Sequence, residues 1–164
     1  STPEVCRNAL KESISIIMNK DEHYLQKYIA DFKKHFLILP FDEVAFPRGV
    51  NGLDKYTDAA SIYKKGTPIH VKGSLIYNNL LRERNLKILP IYEGDKIKFS
   101  YLIIPNPVKD TVIAAPGFLP FDDLHEFIDY HMQFEKSFLD PLNHILKVIG
   151  WNHKEEESLK GLFE

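Results

Sequence analysis

Apolar residues recur at helical spacing in four stretches of the chain, which run over positions 1–19, 21–39, 67–84 and 128–150. Two stretches follow the pattern of strands instead. Lys96 to Tyr101 alternates strictly and continues apolar to Ile104, and Val112 to Ala115 forms a second short apolar run. Val44 to Phe46 predicts a further short strand. The pattern therefore predicts an α+β fold, a mostly helical domain with a small inserted antiparallel sheet.

Local signals set the expected helix ends. Ser1 and Glu4 have the spacing of a capping box, and Pro40 stops the second helix. Thr67 is a good N-cap, and Pro68 suits the first helical turn. The fourth helix is expected to kink or restart at Pro141. The expected apolar faces are, in chain order, Val5, Leu10, Ile14 and Ile17; Tyr24, Leu25, Tyr28, Ile29, Phe32 and Phe36; Ile69, Gly73, Ile76 and Leu80; Phe134, Phe138, Leu142, Ile145 and Ile149.

The stretch from Tyr63 to Asn79, YKKGTPIHVKGSLIYNN, concentrates the candidate chemistry of the chain. Lys64, Lys65 and Gly66 come directly before the predicted start of a helix, and Lys72 is expected on its polar face. Because a helix N-terminus presents backbone N–H groups without intrahelical partners, lysines beside it favour an anion site. Upstream, the segment from Arg48 to Gly52 is expected to be a glycine-containing loop that could approach a phosphate backbone.

Charge is distributed unevenly along the chain, although the net charge is only −2. Positions 44–87 hold eight Lys or Arg against three Asp or Glu, a balance of +5. Positions 122–164 hold four against ten, a balance of −6. Such asymmetry fits a basic face on nucleic acid backed by an acidic face, and it also fits chance clustering on a solvated surface.

The motifs FPRGVNGLDKY and YKKGTPIHVKGSLIYNNLL, together with IDYHMQFEKSFLDPL, resemble the thumb domain of family B DNA polymerases from T-even-type bacteriophages. The resemblance covers nearly all 164 residues. It implies a polymerase-thumb-like fold over residues 1–153, followed by an acidic tail, 154–164, with a sliding-clamp-binding motif. It also implies that the chain is a fragment of a DNA-directed DNA polymerase, a nucleotidyltransferase, with no catalytic residues of its own. The chain would be an excised domain or one product of a split gene.

The resemblance implies a domain that grips primer–template duplex DNA through its sugar–phosphate backbone, with the rest of the polymerase (palm, fingers and exonuclease domains) and the sliding clamp as further partners. The expected DNA-binding residues are Arg48, Gly49, Asn51, Lys64, Lys65, Gly66, Thr67, His70, Lys72, Lys109 and Lys136. No cofactor is expected in this chain, since the Mg²⁺ of the whole polymerase would lie in the palm. The alternative is a non-catalytic interaction module that recruits a partner through its C-terminal tail.

The tail carries its own pattern, because Leu159, Leu162 and Phe163 lie at i, i+3 and i+4. A segment that shows this trio on one side of a helix could fill an apolar pocket of a partner, and the resemblance makes that partner the sliding clamp. Gly161 departs from the bulky residue usual in the family motif and disfavours helix. A C-terminus that docks on its own domain is the other interpretation.

Other chemistry has weaker support. Asp122 and Asp123 fit the start of a helix better than a pair of metal-binding carboxylates. His125, Asp129 and His131 lack the spacing of a metal motif, so no metal site is expected. The single Cys6 lies in a helical pattern and predicts a buried thiol. With no signal-peptide pattern in the first residues and no apolar run of about 20 residues, we expect a cytoplasmic protein, in the host cytoplasm if phage-encoded.

Overall fold

The computed structural model describes residues 1–155, and the predicted clamp-binding residues Leu159, Leu162 and Phe163 lie outside the described residues. Within residues 1–155, seven α-helices and three strands follow one another in the order α1, α2, α3, β1, α4, α5, β2, β3, α6, α7. The helices are Glu4–Asn19, Glu22–Phe36, Phe41–Val44, Leu53–Tyr56, Ile69–Glu83, Tyr130–Phe134 and Asp140–Ile149. The strands are Phe46–Gly49, Lys96–Tyr101 and Val112–Ala115. With 52% helix and one small antiparallel sheet, the predicted α+β class is confirmed.

The sheet has the order β1-β2-β3, with both neighbouring pairs antiparallel. Helix α5 packs on it, and the closest approach is at Gly73, where an added Cβ would lie 3.0 Å from the backbone nitrogen of Ala114. Gly73 thus belongs to the core face, as predicted, together with Ile76 and Leu80. A side chain at position 73 would separate the helix from β3, so the missing Cβ sets how close the two elements lie.

Helices α1, α2 and the helical stretch 130–149 form the other part of the domain. Phe32 and Phe36 of α2 pack against Phe134 and Phe138, with ring centroids 4.9 to 5.7 Å apart. The buried Gln133 joins this aromatic cluster to the sheet. Its amide nitrogen donates to the carbonyl of Val44 at 2.8 Å, and its oxygen accepts from the backbone N–H of Tyr101 at 3.0 Å. The helical part and the sheet therefore share one core.

The stretch 130–149 is not one regular α-helix. Residues Glu135–Leu139 form a π-helical turn, in which the N–H of Asp140 donates to the carbonyl of Glu135. Pro141 follows directly, has no N–H to donate, and its ring would clash with the carbonyl four residues earlier in an α-helix. The predicted interruption at Pro141 is confirmed, and the structure shows its form as a widened turn.

Several local expectations were wrong. Helix α1 begins at Glu4 with Pro3 as its N-cap and no side-chain cap, so Ser1 makes no capping box. Its core face is Cys6, Ala9, Ser13 and Ile16, whereas the predicted Ile14 is 42% exposed.

Other corrections concern the ends of elements. The first strand is Phe46–Gly49 rather than 44–46, so Arg48 and Gly49 lie in a strand and not in a loop. Helix α2 ends at Phe36, before Pro40, and β2 ends at Tyr101 instead of Ile104. Ile145 and Ile149, predicted for the core, are exposed. Tyr24, also predicted for the core, is 51% exposed.

Candidate nucleic-acid interface

Lys64 and Lys65 lie in the segment between α4 and α5, and both are exposed. The backbone around them is held by hydrogen bonds: the N–H of Lys64 donates to the carbonyl of Tyr56 at 2.8 Å. The hydroxyl of Thr67 donates to the carbonyl of Lys64 at 2.6 Å. Gly66 has a φ of +83°, a conformation that glycine adopts without strain, and no atom lies near its missing Cβ. The two lysines therefore project from an ordered turn.

This turn leads directly into α5, which begins at Ile69 with Pro68 as its N-cap. The predicted N-cap, Thr67, makes no cap, because its hydroxyl is used by the turn before the helix. The N–H groups of the first helical turn have no carbonyl partner within the helix. They lie next to Lys64 and Lys65 in the chain, and positive charge beside free N–H groups suits an anion.

Lys72 is bound within the domain. Its Nζ lies 2.8 Å from Oδ1 of Asp110 and 4.9 Å from the centroid of the Tyr63 ring. The Tyr63 hydroxyl donates to Oδ2 of the same carboxylate. The Lys72 and Asp110 side chains are only 21% and 14% exposed. We refer to Tyr63, Lys72 and Asp110 as the clasp.

The clasp shifts the pKa values of its members in the directions that a stable ion pair requires. Burial alone would raise the pKa of Asp110, but the hydrogen bonds from Lys72 and Tyr63 outweigh it, and the pKa is lowered. Burial alone would lower the pKa of Lys72, but the bonds to Asp110 and Tyr63 raise it. The pKa of Tyr63 is raised by burial and by its bond to Asp110. Near neutral pH, Asp110 is therefore a carboxylate, Lys72 is an ammonium cation and the Tyr63 hydroxyl keeps its proton.

Energies decide whether Lys72 can leave Asp110 for a phosphate. Removing one partner from a buried ion pair costs about 3–5 kcal/mol. An exposed ion pair contributes roughly 0–1 kcal/mol. The Lys72–Asp110 pair is only partly buried, so its strength lies between these two limits, and Lys72 is held in the domain more firmly than an exposed ion pair would hold it. The other predicted lysines of this region have exposed side chains.

Lys109 lies on the turn that precedes Asp110. Asn106 closes this turn: its amide donates to the carbonyls of Ile103 at 2.9 Å and Asp110 at 2.7 Å, and its oxygen accepts from the N–H of Val108 at 3.0 Å. Lys109 has a φ of +56°, and its side chain is exposed. Because Tyr63 and Asp110 are hydrogen-bonded, the turn with Lys109 lies against the turn with Lys64 and Lys65.

Arg48 and His70 meet on another side of the start of α5. His70 lies over Phe99 of β2, with ring centroids 6.4 Å apart. Burial and then the positive charge of Arg48 lower the pKa of His70. His70 is therefore neutral at neutral pH and can contribute a hydrogen bond, but no charge, to an anion.

The remaining predicted positions lie around the sheet. Arg48 and Gly49 are exposed on the edge strand β1, and Asn51 is exposed just beyond it. The backbone on both sides of Asn51 is anchored, since Gly52 donates its N–H to Glu93 at 2.6 Å and Val50 donates to the carbonyl of Asp95 at 2.9 Å. Lys136, on the π-helical turn, holds its Nζ 5.3 Å from the ring centroid of Tyr101.

The structure thus joins the turns that carry Lys64, Lys65 and Lys109 through the Tyr63–Asp110 hydrogen bond. Arg48 is close enough to His70 to lower its pKa, and Lys136 lies against the aromatic face of β2. Sequence reasoning placed Asn106 and Asp110 in turns but gave them no part in the site. It interpreted Tyr63 as a contact for sugars or bases or as a core tyrosine whose hydroxyl is satisfied. Tyr63 and Asp110 are 47 positions apart, and no local pattern signals their pairing.

The acidic and histidine candidates have structural partners. Asp122 and Asp123 open a 3-10 helix, Asp122–Phe127, as acids at a helix start do. Asp123 accepts two hydrogen bonds from Arg84, at 2.6 and 2.9 Å, and these bonds lower its pKa. His125 lies 3.0 Å from the carbonyl of Leu119. Within residues 1–155, no three His, Cys, Asp or Glu side chains are grouped so that they could hold a metal ion.

Fold and site together define an α+β domain that presents exposed lysines on two turns joined by a hydrogen bond, one of which leads into α5. The chain is 33% identical over 168 aligned positions to the DNA-directed DNA polymerase of Enterobacteria phage T4, covering 99% of this chain and 18% of that protein. It is 30% identical over 169 positions to the DNA-directed DNA polymerase of Escherichia phage RB69, covering all of this chain and 18% of that protein. No family model matches.

The resemblance to the polymerases of T-even-type phages is therefore confirmed over the whole chain, which is similar to a segment of a T4-type phage DNA polymerase. The chain spans less than a fifth of the length of these relatives. In the described part of the chain, no helix is long and apolar enough to cross a membrane.

Proposed function

We propose that this domain is the thumb of a T-even-like family B DNA polymerase and that it holds primer–template duplex DNA by its sugar–phosphate backbone. The observation that carries the proposal is the Tyr63–Asp110 hydrogen bond, which joins the two turns that present the exposed Lys64, Lys65 and Lys109. Lysines and backbone N–H groups recognise phosphates of any sequence. Sequence readout would instead need Arg, Asn or Gln side chains on an element that enters a groove.

Arg48, Gly49 and Asn51 give this surface a second contact region at the edge of the sheet, and His70 lies near Arg48. Lys136 adds a cation over Tyr101 of β2. Chemistry is assigned to the rest of the polymerase, which would supply the metal-binding carboxylates. This domain contributes DNA binding, and the other polymerase domains are its covalent partners.

The test is the salt dependence of binding to a fluorescein-labelled primer–template duplex, followed by fluorescence anisotropy from 50 to 200 mM salt. For three or four phosphate contacts, log K should fall against log salt with a slope of roughly −3 to −4. A duplex of scrambled sequence should bind equally well. Lys27→Ala on α2 serves as the matched control, because it removes one exposed lysine outside the proposed surface. Salt-insensitive binding, or a clear preference for one sequence, would refute the proposal.

The tail supplies a second proposed contact. Leu159, Leu162 and Phe163 would bind the sliding clamp, with each buried side chain contributing about 1.5–3 kcal/mol before the cost of ordering the segment. Gly161 adds roughly 1 kcal/mol to that cost if the bound form is helical, so we expect a micromolar affinity. Deleting 159–164 should abolish calorimetric binding to the cognate clamp and leave DNA binding unchanged. Undiminished clamp affinity would place the contact elsewhere.

A further inference from the structure

Asp110 receives hydrogen bonds from three separate parts of the chain. Tyr63 reaches it from the segment before α5, and Lys72 reaches it from α5 itself at 2.8 Å. The backbone N–H of Thr111, at the start of β3, donates to its Oδ1 at 2.7 Å. Its own carbonyl accepts from the Asn106 amide at 2.7 Å, which closes the turn that carries Lys109. One carboxylate therefore connects the two turns that present the exposed lysines.

An acidic residue in this position needs an explanation, because a carboxylate near bound DNA repels phosphate. Lys72 neutralises the charge of Asp110, so the clasp adds little net charge to the surface. Lys64 follows Tyr63 directly and Lys109 precedes Asp110 directly. Whatever fixes the Tyr63–Asp110 hydrogen bond also fixes the separation of these two exposed lysines.

We infer that Asp110 is a positioning residue for phosphate binding: with Tyr63 and Lys72 it holds Lys64, Lys65 and Lys109 as one anion-binding surface. The inference rests on the proposed function for the identity of the anion, DNA phosphate. It assigns Asp110 a part in binding although the residue carries the same charge as the ligand.

Positioning and simple charge repulsion predict changes of opposite sign in DNA affinity for one substitution. Asp110→Asn keeps the size of the side chain and its ability to accept hydrogen bonds, but it removes the charge that holds Lys72. If Asp110 only opposes DNA, the substitution should strengthen binding. If Asp110 positions the lysines, binding should weaken roughly tenfold, the equivalent of one lost phosphate contact, and the salt slope should flatten by about one.

The experiment measures duplex binding of the full chain by anisotropy for the wild type, Asp110→Asn, Tyr63→Phe and Asp54→Asn. Asp54→Asn is the matched control, because it removes one exposed carboxylate on α4 that takes no part in the clasp. It should leave binding unchanged or slightly stronger. Tyr63→Phe should weaken binding in the same direction as Asp110→Asn by a smaller factor, and it tests the clasp even if Asp110→Asn fails to fold.

A second probe separates the inference from the proposed function. Calorimetry with inorganic tripolyphosphate measures anion binding without DNA. If the wild type binds tripolyphosphate but not duplex DNA, the proposed function fails, and weaker tripolyphosphate binding by the clasp variants still supports positioning. If Asp110→Asn binds both anions as well as the wild type or better, Asp110 does not position the lysines and the inference is overturned. If the wild type binds neither anion, both are refuted.

Discussion

Replacing Gly73 with alanine tests how α5 is placed on the sheet. A Cβ at this position would lie 3.0 Å from the nitrogen of Ala114, 3.2 Å from its Cβ and 3.2 Å from the carbonyl carbon of Ile113. Two of these three atoms belong to the backbone of β3, which is hydrogen-bonded to β2. They cannot turn aside as a flexible side chain can, so the helix itself would have to move.

Two effects of opposite sign compete in this substitution. Alanine is favoured over glycine inside a helix by about 1 kcal/mol. Overpacking a well-packed interface costs typically about 1–3 kcal/mol, and rigid backbone neighbours place Gly73 toward the upper end. The expected net effect is a destabilisation of about 1–2 kcal/mol. For a chain of this length, that corresponds to a Tm lowered by roughly 2–8 °C.

Differential scanning calorimetry of the wild type and Gly73→Ala measures this change directly. Gly117→Ala is the matched control, since nothing lies within 4 Å of its missing Cβ and its φ is not in the left-handed region. It should leave Tm nearly unchanged. If Gly73→Ala melts at the same temperature as the wild type or above it, helix propensity outweighs packing, and the close approach of α5 to β3 has been overestimated.

Three further predictions concern the site and the core. Lys65→Ala should flatten the salt slope of duplex binding by about one without changing Tm, and an unchanged slope would remove Lys65 from the surface. The pKa of Asp110 is lowered from 3.8, so its carboxylate stabilises the fold above that pH and loses this contribution as the pH falls through the folded pKa. The difference in urea stability between the wild type and Asp110→Asn should therefore shrink below about pH 4. A difference that stays constant would contradict the ion pair. Burial raises the pKa of Cys6 to about 12, so a disulfide reagent at pH 8 should label it only after unfolding by guanidinium, and rapid labelling of the native chain would refute its burial.

The parts of the fold that sequence patterns predicted correctly are those with local causes. Strand Val112–Ala115 was predicted at the positions it occupies, and Pro141 interrupts its helix through its own ring and missing N–H. Cys6 is buried as its helical pattern indicated. On α1, the predicted Val5, Leu10 and Ile17 do pack against the core, but Ile14 is exposed and Ile16 is buried in its place, and the two are equally apolar. Only the packing of α1 on its neighbours decides which of them is buried.

In the candidate site, too, features with local causes were predicted and features that depend on tertiary packing were not. The exposure of Lys64 and Lys65 and the start of a helix just after them followed from adjacent residues. The pairing of Lys72 with Asp110 did not, because it depends on α5 and β3 lying side by side in the folded chain. A lysine on the polar face of a helix has the same sequence pattern whether its partner is a solvent molecule, a ligand or a distant aspartate.

The π-helical turn at 135–139 has a consequence for the phase of the helix around it. Phe134, Phe138, Leu142 and Leu146 are spaced by four residues and are all buried. In a straight α-helix of 3.6 residues per turn, each such step advances about 40° around the axis, so the fourth residue would be about 120° from the first. The wider turn rotates the chain back by part of this angle. The single π-helical turn thus keeps buried residues that are four positions apart facing the core along the whole length of the helical stretch.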